Sequence, residues 1–359
     1  MNICPIPTRD TDGYKRKHNI NYFQQNPNFL LVLQISVQYR QIYPPKKELQ
    51  TYPMMPAPTT SSSSGELYLL GIGVTHSIAP PMHNVIARGL NKSWTFSNLE
   101  CPTIHDVLNA IHRPTFKGGV ITMPYKQTII PHLSGLDEQA ELIGAVNNVY
   151  LTKSGELRGT NTDWEGVKGC LLSVEGAERG KGKPALVIGA GGASRAAVYA
   201  LSADLKCNTI YVINRDEDEV KALLVDAQKH GKGKLELIHV TSLSQAEQLP
   251  SPYFVVGTVP DFEPKTASEI EMRKMLEVLL ETDEKGVILD MCFKPRNTRT
   301  LKLARTLGWS CVPGTGVIGY QIETQWSLWT REDVSSTLPK EKAWEILNKA
   351  AEESRAINF

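Results

Sequence analysis

A glycine-rich turn between a buried strand and a helix constrains this chain more than any other feature. The turn, Gly189-Ala190-Gly191-Gly192-Ala193-Ser194-Arg195, follows the apolar run Ala185–Ile188 and opens an alanine-rich helical stretch. Backbone N–H groups at such a turn approach a pyrophosphate closely, and the helix N-terminus adds partial positive charge. A second strand-like run, Thr209–Ile213, follows after a helix-length interval. The context predicts a dinucleotide-binding unit, although Ser194 replaces the third glycine of the usual motif.

The composition is that of an ordinary globular enzyme of two domains. The chain has 359 residues, of which 41% are hydrophobic, and this supplies a core for each domain. Its net charge is +1 and its pI is about 7.6. This balance gives no general electrostatic reason to expect nucleic acid or an anionic membrane as a partner. We therefore expect a small-molecule substrate, no nucleic-acid or membrane partner, and a monomer or homodimer.

Neither the cysteines nor the N-terminal region indicates export or a metal site. Six cysteines are scattered through the chain without a C-x-x-C pair or a cluster with histidine: Cys4, Cys101, Cys170, Cys207, Cys292 and Cys311. The apolar run that begins at Phe29 is far shorter than the roughly 20 residues that span a bilayer. It also lies behind polar sequence, unlike a secretory signal. We expect reduced thiols, no metal and a cytoplasmic protein.

Strand and helix patterns alternate along most of the chain from Glu66 onward, which predicts an α/β layer structure. Residues 1–65 lack such periodicity and are expected to be a flexible extension. Expected strands are Leu67–Ile72, Trp94–Leu99, Gly119–Thr122, Ala185–Ile188, Thr209–Ile213, Tyr253–Val256 and Gly286–Asp290. Expected helices include one entered through Pro80-Pro81, then Ile104–Ile111, Val317–Thr330 and Pro339–Ile357.

Four segments upstream of the glycine-rich turn carry patterned polar residues. They are Gly73-Val74-Thr75-His76-Ser77-Ile78-Ala79-Pro80-Pro81-Met82-His83-Asn84, Gly118-Gly119-Val120-Ile121-Thr122-Met123-Pro124-Tyr125-Lys126, Gly144-Ala145-Val146-Asn147-Asn148 and Gly159-Thr160-Asn161-Thr162-Asp163-Trp164-Glu165-Gly166. In this order they resemble the G-x-P-x-x-H-S-x-S-P-x-x-H-N, N-V-T-x-P-x-K, G-A-x-N-T and G-x-N-T-D-x-x-G patterns of the shikimate/quinate dehydrogenase family. The resemblance covers about Leu67 to Trp329, and the combination is more specific than its parts.

The resemblance implies an α/β fold of two domains. Residues 66–165 match a substrate-binding domain, and residues 166–315 match an NAD(P)-binding domain with a Rossmann-type doubly wound parallel sheet. Residues 316–359 are expected to form helices that pack on the substrate domain. The implied reaction is hydride transfer that interconverts quinate and 3-dehydroquinate, or shikimate and 3-dehydroshikimate.

The same resemblance assigns roles to individual side chains. Lys126 and Asp163 take the catalytic positions, and the substrate ligands are Ser77, Thr122, Asn147 and Gln321, the last within Gly314–Gln321. A base must accept the proton of the substrate hydroxyl as hydride leaves the ring carbon. Whether Lys126 is that base or an orienting cation stays open at this point.

The residues expected at the dinucleotide also come from the resemblance. Besides the glycine-rich turn they are Asn214, Arg215, Asp216, Thr258 and Gly316, with Gly316 beside the nicotinamide. In NADP-dependent members, basic residues of an N-R-T-x-x-R motif meet the 2′-phosphate, whereas an acidic run begins here at Asp216. A carboxylate accepts a hydrogen bond from a ribose 2′-OH and repels a phosphate, so NAD is favoured over NADP. Alternatively, the acidic run only begins a solvated helix, where negative charge suits the dipole.

Four single positions and one four-residue segment depart from the family patterns. Ala79, Val120, Asn148 and Phe293 replace serine, asparagine, threonine and tyrosine, and Val256-Gly257-Thr258-Val259 replaces N-A-T-S. Loss of the second hydroxyl at Ala79 opens space near C1 of the ring, where quinate carries an additional hydroxyl. These departures favour a catabolic or divergent relative over a housekeeping enzyme.

Two other functions fit the same departures. One is a regulatory protein that senses quinate-like ligands without turnover, although retention of Lys126 and Asp163 argues against it. The other is a dehydrogenase for a different hydroxylated cyclohexane or cyclohexene carboxylate.

Overall fold

Two six-stranded sheets form the framework of the protein. The computed structural model describes residues 64–229 and 235–359. The flexible extension expected for residues 1–65 therefore lies outside the described residues except for Ser64 and Gly65. Gly65 does not belong to an extension, because it begins the first strand.

The first sheet is mixed. Its strands are β1 (Gly65–Gly71), β2 (Trp94–Glu100), β3 (Phe116–Ile121), β4 (Gly135–Leu136), β5 (Asn148–Leu151) and β6 (Leu157–Thr160). The helices between them are α1 (Ala79–Gly89), α2 (Ile104–Ile111) and α3 (Glu138–Ile143). The spatial order is β2-β1-β3-β5-β6-β4, with β1 parallel to β2 and β3, and β5 antiparallel to β3 and β6. The carboxyl ends of β1 and β3 therefore lie side by side.

The second sheet is entirely parallel. Its strands are β7 (Ala185–Ile188), β8 (Thr209–Ile213), β9 (Glu236–His239), β10 (Phe254–Gly257), β11 (Val287–Asp290) and β12 (Ser310–Pro313). The accompanying helices are α4 (Asp163–Leu172), α5 (Gly192–Tyr199), α6 (Glu217–Ala227), α7 (Leu243–Ala246), α8 (Ala267–Leu280) and α9 (Arg299–Thr306). The order β12-β11-β10-β7-β8-β9 is that of a doubly wound Rossmann sheet. Such a sheet binds ligands outside the carboxyl ends of its strands where the order reverses, here between β7 and β10.

Apolar side chains cover both faces of each sheet. In the second sheet, Val187 packs with α5 and α6 on one face, and Leu186 packs with α8 and α9 on the other. Three further helices complete the chain: α10 (Thr315–Tyr320), α11 (Ile322–Thr330) and α12 (Lys340–Glu353). Trp326 and Leu347 of the last two share one apolar cluster with Leu67 of the first sheet. The chain thus returns to its first sheet after completing the second.

The helix expected over Val317–Thr330 is two helices, because Gln321 interrupts it. The side-chain Nε2 of Gln321 donates to the carbonyl oxygen of Val317 at 2.9 Å, and Gln321 itself lies between α10 and α11. The domain boundaries expected after residues 165 and 315 each fall within a helix, α4 and α10 respectively. The domain limits therefore stay a prediction.

Two further findings concern the described residues as a whole. No helix within residues 64–229 and 235–359 is both long enough and apolar enough to cross a bilayer. The five cysteines of this part of the chain are free thiols, and Cys101, Cys170 and Cys207 are buried.

Candidate active site

The centre of the candidate site is a buried ion pair between Lys126 and Asp163. Lys126 follows the end of β3, and Asp163 is the first residue of α4, where a negative charge suits the helix dipole. The Nζ of Lys126 donates to Oδ2 of Asp163. The two side chains are 14% and 8% exposed. The two residues assigned to catalysis thus meet, although 37 positions separate them.

Asn147 and Gln321 hold the other oxygen of the Asp163 carboxylate. Nδ2 of Asn147 lies 2.8 Å from Oδ1 of Asp163 and 2.7 Å from Oε1 of Gln321. Nε2 of Gln321 donates to the same Oδ1 at 3.3 Å. Because these groups are all buried, each hydrogen bond is protected from competition with water. One network therefore joins four of the six residues predicted at the substrate.

A glycine allows Gln321 to reach this network. A Cβ placed on Gly166 of α4 would lie 2.6 Å from Cγ1 of Val317 and 2.7 Å from its carbonyl oxygen. Both distances are shorter than any ordinary contact, so a larger residue would push α10 away from α4. The last glycine of the G-x-N-T-D-x-x-G pattern therefore serves helix packing, which carries Gln321 to Asp163.

Ser77 and Thr122 lie at the carboxyl ends of the first sheet but outside the network. Oγ of Ser77 accepts from the backbone N–H of Ala79 at 3.4 Å, at the start of α1. The backbone N–H of Thr122 donates to the carbonyl of Leu70 at 2.9 Å, which joins the ends of β1 and β3. Within the described residues, neither side chain bonds to Lys126 or Asp163. Their roles as substrate ligands stay predictions.

The glycine-rich turn lies directly against Lys126. A Cβ added to Gly192 would be 3.2 Å from Cβ of Lys126 and 3.4 Å from its Cδ. The turn after β7 and the lysine after β3 therefore border one space, although they belong to different sheets. This contact joins the predicted nucleotide site to the predicted proton-handling pair.

The backbone of the glycine-rich turn borders open space at the start of α5. Gly189 has φ +113°, which favours glycine, and a Cβ there would collide with Oγ1 of Thr258. A Cβ on Gly191 would meet no atom within 4 Å, so the space before α5 is open. Among residues 64–229 and 235–359, no side chain caps the N-terminus of α5. Ala190 is buried, whereas Ala193 is half-buried in the first turn of α5, so the backbone there is the available donor.

Thr258 supports the turn from the end of β10. Its Oγ1 lies 2.7 Å from Oγ of Ser194 and donates to the carbonyl of Ile188 at 2.8 Å. Ser194, which replaces the third glycine of the usual motif, thus bonds the helix to the neighbouring strand. Thr258 reaches the cofactor region as a support of the turn, and its direct contact with a cofactor stays a prediction.

The residues after β8 bond to one another and to neighbouring helices. Oδ1 of Asp216 accepts from the backbone N–H groups of Asp218 and Glu219, both at 3.0 Å, and so caps α6. The acidic run thus begins a capped helix, which is the alternative to cofactor binding that the sequence left open. The other carboxylate oxygen of Asp216, Oδ2, has no hydrogen bond within the described residues. Asn214 braces the turn, since its Nδ2 donates to the carbonyl of Asp216 at 3.0 Å. Arg215 pairs with Glu269 at 2.9 Å.

Gly316 and Asp290 lie farther along the second sheet's carboxyl edge. Gly316 packs in α10 against Cys170 of α4, since a Cβ there would lie 3.0 Å from Sγ. Asp290 ends β11 and accepts from Oγ1 of Thr298 at 2.7 Å. Burial raises the pKa of Asp290 to about 6, because charge is disfavoured away from water. The place of Gly316 beside a nicotinamide stays a prediction.

Three of the family departures share one apolar cluster beside this site. Ala79 is buried in the cluster, and Val120 and Phe293 pack against it. Asn148 contacts the same cluster, because its Oδ1 accepts from Nε1 of Trp329 at 2.9 Å. These four departures therefore contact one apolar cluster, whereas Thr258 of the fifth lies at the glycine-rich turn.

Sequence reasoning missed Thr162 and Gln325. Oγ1 of Thr162 donates to Oε1 of Gln321 at 2.6 Å, and Nε2 of Gln325 donates to the same oxygen at 3.2 Å. Thr162 stands within the G-x-N-T-D-x-x-G match. Gln325 follows Gln321 by four residues, the spacing that places side chains on one helix face. Both signals were present in the sequence.

A Rossmann sheet with a buried lysine and carboxylate against its glycine-rich turn defines a dinucleotide-dependent oxidoreductase. The family described as the shikimate dehydrogenase substrate binding domain matches residues 69–149. A quinate dehydrogenase of Emericella nidulans is 37% identical over 305 residues, which are 79% of this chain and 93% of the relative. The chain therefore belongs to the shikimate/quinate dehydrogenase family.

Two further relatives agree with that membership. The pentafunctional AROM polypeptide of Schizosaccharomyces japonicus is 33% identical over 283 residues, which are 75% of this chain and 17% of the relative. The crystal structure of shikimate 5-dehydrogenase from Thermus thermophilus, in complex with NADP(H) and shikimate, superposes with a TM-score of 0.61. It is 27% identical, and the match covers 80% of this chain and 99% of that one.

Proposed function

We propose that the protein is a quinate dehydrogenase that prefers NAD, within the NAD(P)-dependent quinate and shikimate oxidoreductases of its family. One observation carries the proposal: the amine of Lys126 is paired with Asp163 while its stem lies against Gly192 of the dinucleotide turn. A proton-handling group and a dinucleotide site therefore border the same space. The first sheet supplies the substrate ligands and the second sheet supplies the cofactor site.

The residues of this chain position the substrate and manage its proton. A bound nicotinamide supplies the hydride acceptor. Asn147 and Gln321 fix the Asp163 carboxylate through Oδ1, so its other oxygen holds the Lys126 amine toward the substrate space. Lys126, as the neutral amine, then binds the substrate hydroxyl and accepts its proton as the ring carbon is oxidised, and the ammonium formed in this step is the partner of the Asp163 carboxylate. Because the pair is already positioned, little reorganisation is needed at the moment of reaction.

Two observations favour quinate over shikimate. Ala79 is smaller than the serine of the family pattern and leaves room near C1 of the ring, where quinate has its additional hydroxyl. The relative with 37% identity over most of both chains is itself a quinate dehydrogenase.

The preference for NAD rests on charge at the end of β8. Asp216 has one oxygen free of bonds within the described residues, and Glu217, Asp218 and Glu219 follow it. A ribose 2′-OH donates a hydrogen bond to such a carboxylate, whereas a 2′-phosphate is repelled.

The direct test is the rate of NAD and NADP reduction by the purified full-length protein at alkaline pH, with quinate and shikimate each offered as substrate. We expect the highest kcat/KM for quinate with NAD. A preference for shikimate with NADP would contradict both specificity arguments while keeping the catalytic pair. Ligand binding without turnover would support a sensor instead.

A further inference from the structure

An ion pair bridges the two loops on either side of the glycine-rich turn. Arg215 follows β8, and Glu269 lies in the first turn of α8, which follows β10. Because β7 lies between β8 and β10 in the sheet, these two loops flank the turn that β7 carries. Nη1 of Arg215 lies 2.9 Å from Oε1 of Glu269. The ion pair thus spans the crevice in which the adenosine half of a dinucleotide is expected.

Glu269 is the fixed partner in this ion pair. Its Oε2 accepts from the backbone N–H groups of Lys265 and Thr266, both at 3.0 Å. The backbone N–H of Glu269 donates in return to Oγ1 of Thr266 at 3.3 Å, which completes a capping box. The side chain of Glu269 is 25% exposed and that of Arg215 is 69% exposed. An exposed arginine is therefore paired with an anchored carboxylate.

The pairing decides what Arg215 offers to a cofactor. A free guanidinium after the second strand would attract a 2′-phosphate strongly, since such bonds are charge-assisted and often bidentate. Here its charge is already balanced by Glu269, and Asp216 adds a further negative charge next to it. The planar face of a paired guanidinium still stacks on an aromatic base. Adenine binding is therefore retained while phosphate binding is weakened.

We propose that Glu269 is a cofactor-selectivity residue, which holds Arg215 in an ion pair and thereby disfavours a dinucleotide with a 2′-phosphate. This inference rests on the proposed function only in requiring a dinucleotide in the crevice. It assigns discrimination to a residue of α8, in addition to Asp216 at the end of β8.

Binding of nucleotide fragments tests the proposal without any turnover. The probes are 2′,5′-ADP and 5′-AMP, titrated calorimetrically into the full-length protein and its Glu269→Gln variant. Glutamine keeps an acceptor oxygen for the N–H groups of Lys265 and Thr266, so the helix start is preserved. We expect 2′,5′-ADP to bind about tenfold more tightly to the variant, with less than about a twofold change for 5′-AMP. The gain should disappear when Arg215→Ala is added.

The matched control is Glu277→Gln on the same helix. Glu277 pairs with Arg273 at 2.9 Å and is 41% exposed, but it lies more than two turns from Glu269. This control should change neither affinity. Equal changes for both probes in Glu269→Gln, or no change for either, would overturn the inference. If the 2′,5′-ADP affinity shifted as expected but quinate were not turned over, the proposed function would be wrong and the selectivity role of Glu269 would be retained.

Discussion

Two ion pairs of this molecule, each between a basic and an acidic side chain, differ in their exposure to solvent. The side chains of Lys126 and Asp163 are 14% and 8% exposed. The Asp163 carboxylate also accepts a hydrogen bond from the buried side-chain amide of Asn147. In the pair of Arg215 and Glu269, the arginine is 69% exposed. Charges removed from water depend on their partners, whereas exposed charges are screened and interact weakly. Burial therefore distinguishes the pair to which we assign proton transfer from the pair to which we assign cofactor selectivity.

The contrast also explains how each pair responds to substitution. Removing one partner of a buried pair leaves an uncompensated charge and typically costs about 3–5 kcal/mol. An exposed pair contributes little to stability. We therefore expect loss of the pair between Arg215 and Glu269 to change the affinity for a nucleotide rather than the free energy of unfolding. The predictions below test this difference, beginning with the largest effect.

Substitution of Lys126 should have the largest effect. In Lys126→Met, the stem that packs on Gly192 is kept and the amine is lost. We expect kcat for quinate oxidation to fall about 10²- to 10⁴-fold, the usual contribution of a positioned acid or base. Steady-state rates with NAD measure this, and retained quinate binding by calorimetry shows that the site persists.

Lys168→Met is the matched control for this prediction. Lys168 pairs with Asp204 at 2.6 Å, but its side chain is 39% exposed. We expect its kcat to stay within about twofold of the unmodified protein, as for an ordinary exposed pair. If both variants lost activity equally, the special role of the buried pair would be wrong.

The buried histidine beneath the first sheet should make stability depend on pH. His83 stacks on Phe96 with 4.2 Å between ring centroids and accepts a hydrogen bond from Nε1 of Trp326. Burial lowers the pKa of His83 from 6.5 to about 3, so the folded protein keeps it neutral. The unfolded chain binds the proton first. Stability is therefore full above pH 6.5 and declines toward pH 3.

The expected decline is about 1.4 kcal/mol for each pH unit below the unfolded pKa. Denaturant unfolding between neutral and mildly acidic pH measures it. His83→Gln keeps an acceptor for Trp326 but does not titrate, so its curve should be flatter by that slope. His112→Gln, at an exposed position, should leave the slope unchanged. Identical slopes in all three proteins would refute the assignment to His83.

Local patterns in the sequence were sufficient for much of the fold. The predicted helix Ile104–Ile111 and strand Thr209–Ile213 have those same bounds in the structure. The helix is periodic in its apolar residues and the strand is a short continuous apolar run, so a local pattern defines each of them. The glycine-rich turn and its flanking strand predicted a dinucleotide-binding unit, and the family resemblance implied the doubly wound Rossmann sheet.

What the sequence could not supply depends on contacts between distant residues. The break at Gln321 arises from a side-chain bond to Val317 and from close packing on Gly166. Arg215 and Glu269 are 54 residues apart in the sequence, so no local pattern predicts that they pair. The residues of the active-site network were found through motifs, whereas their bonds to one another required the fold.

Substitution of Asp216 should separate charge from helix capping. Serine also caps helices well, so Asp216→Ser removes the carboxylate and keeps a bond to the start of α6. We expect kcat/KM with NADP to rise about tenfold relative to NAD, because the repulsion of the 2′-phosphate is reduced. Initial rates with both cofactors at saturating quinate measure the change.

Asp216→Ala completes this comparison, since it loses the cap as well. Its free energy of unfolding should fall by about 1 kcal/mol, whereas that of Asp216→Ser should change little. Equal cofactor ratios in the serine variant and the unmodified protein would show that Asp216 acts only as a cap. The preference for NAD would then need another origin.

The smallest effect is expected at Gln325, which within the described residues bonds to Gln321 and Thr162 but to neither Lys126 nor Asp163. It donates to Oε1 of Gln321 at 3.2 Å and to Oγ1 of Thr162 at 3.3 Å. In Gln325→Leu, Gln321 loses one of the bonds that orient it, and a buried neutral hydrogen bond contributes about 1 kcal/mol. We expect KM for quinate to rise about fivefold while kcat changes less than twofold, because Lys126 and Asp163 stay paired. Ser327→Ala on the same helix should alter neither constant. A fall in kcat as large as that of Lys126→Met would instead place Gln325 within the proton route, and the division between buried catalytic and supporting groups would have to be redrawn.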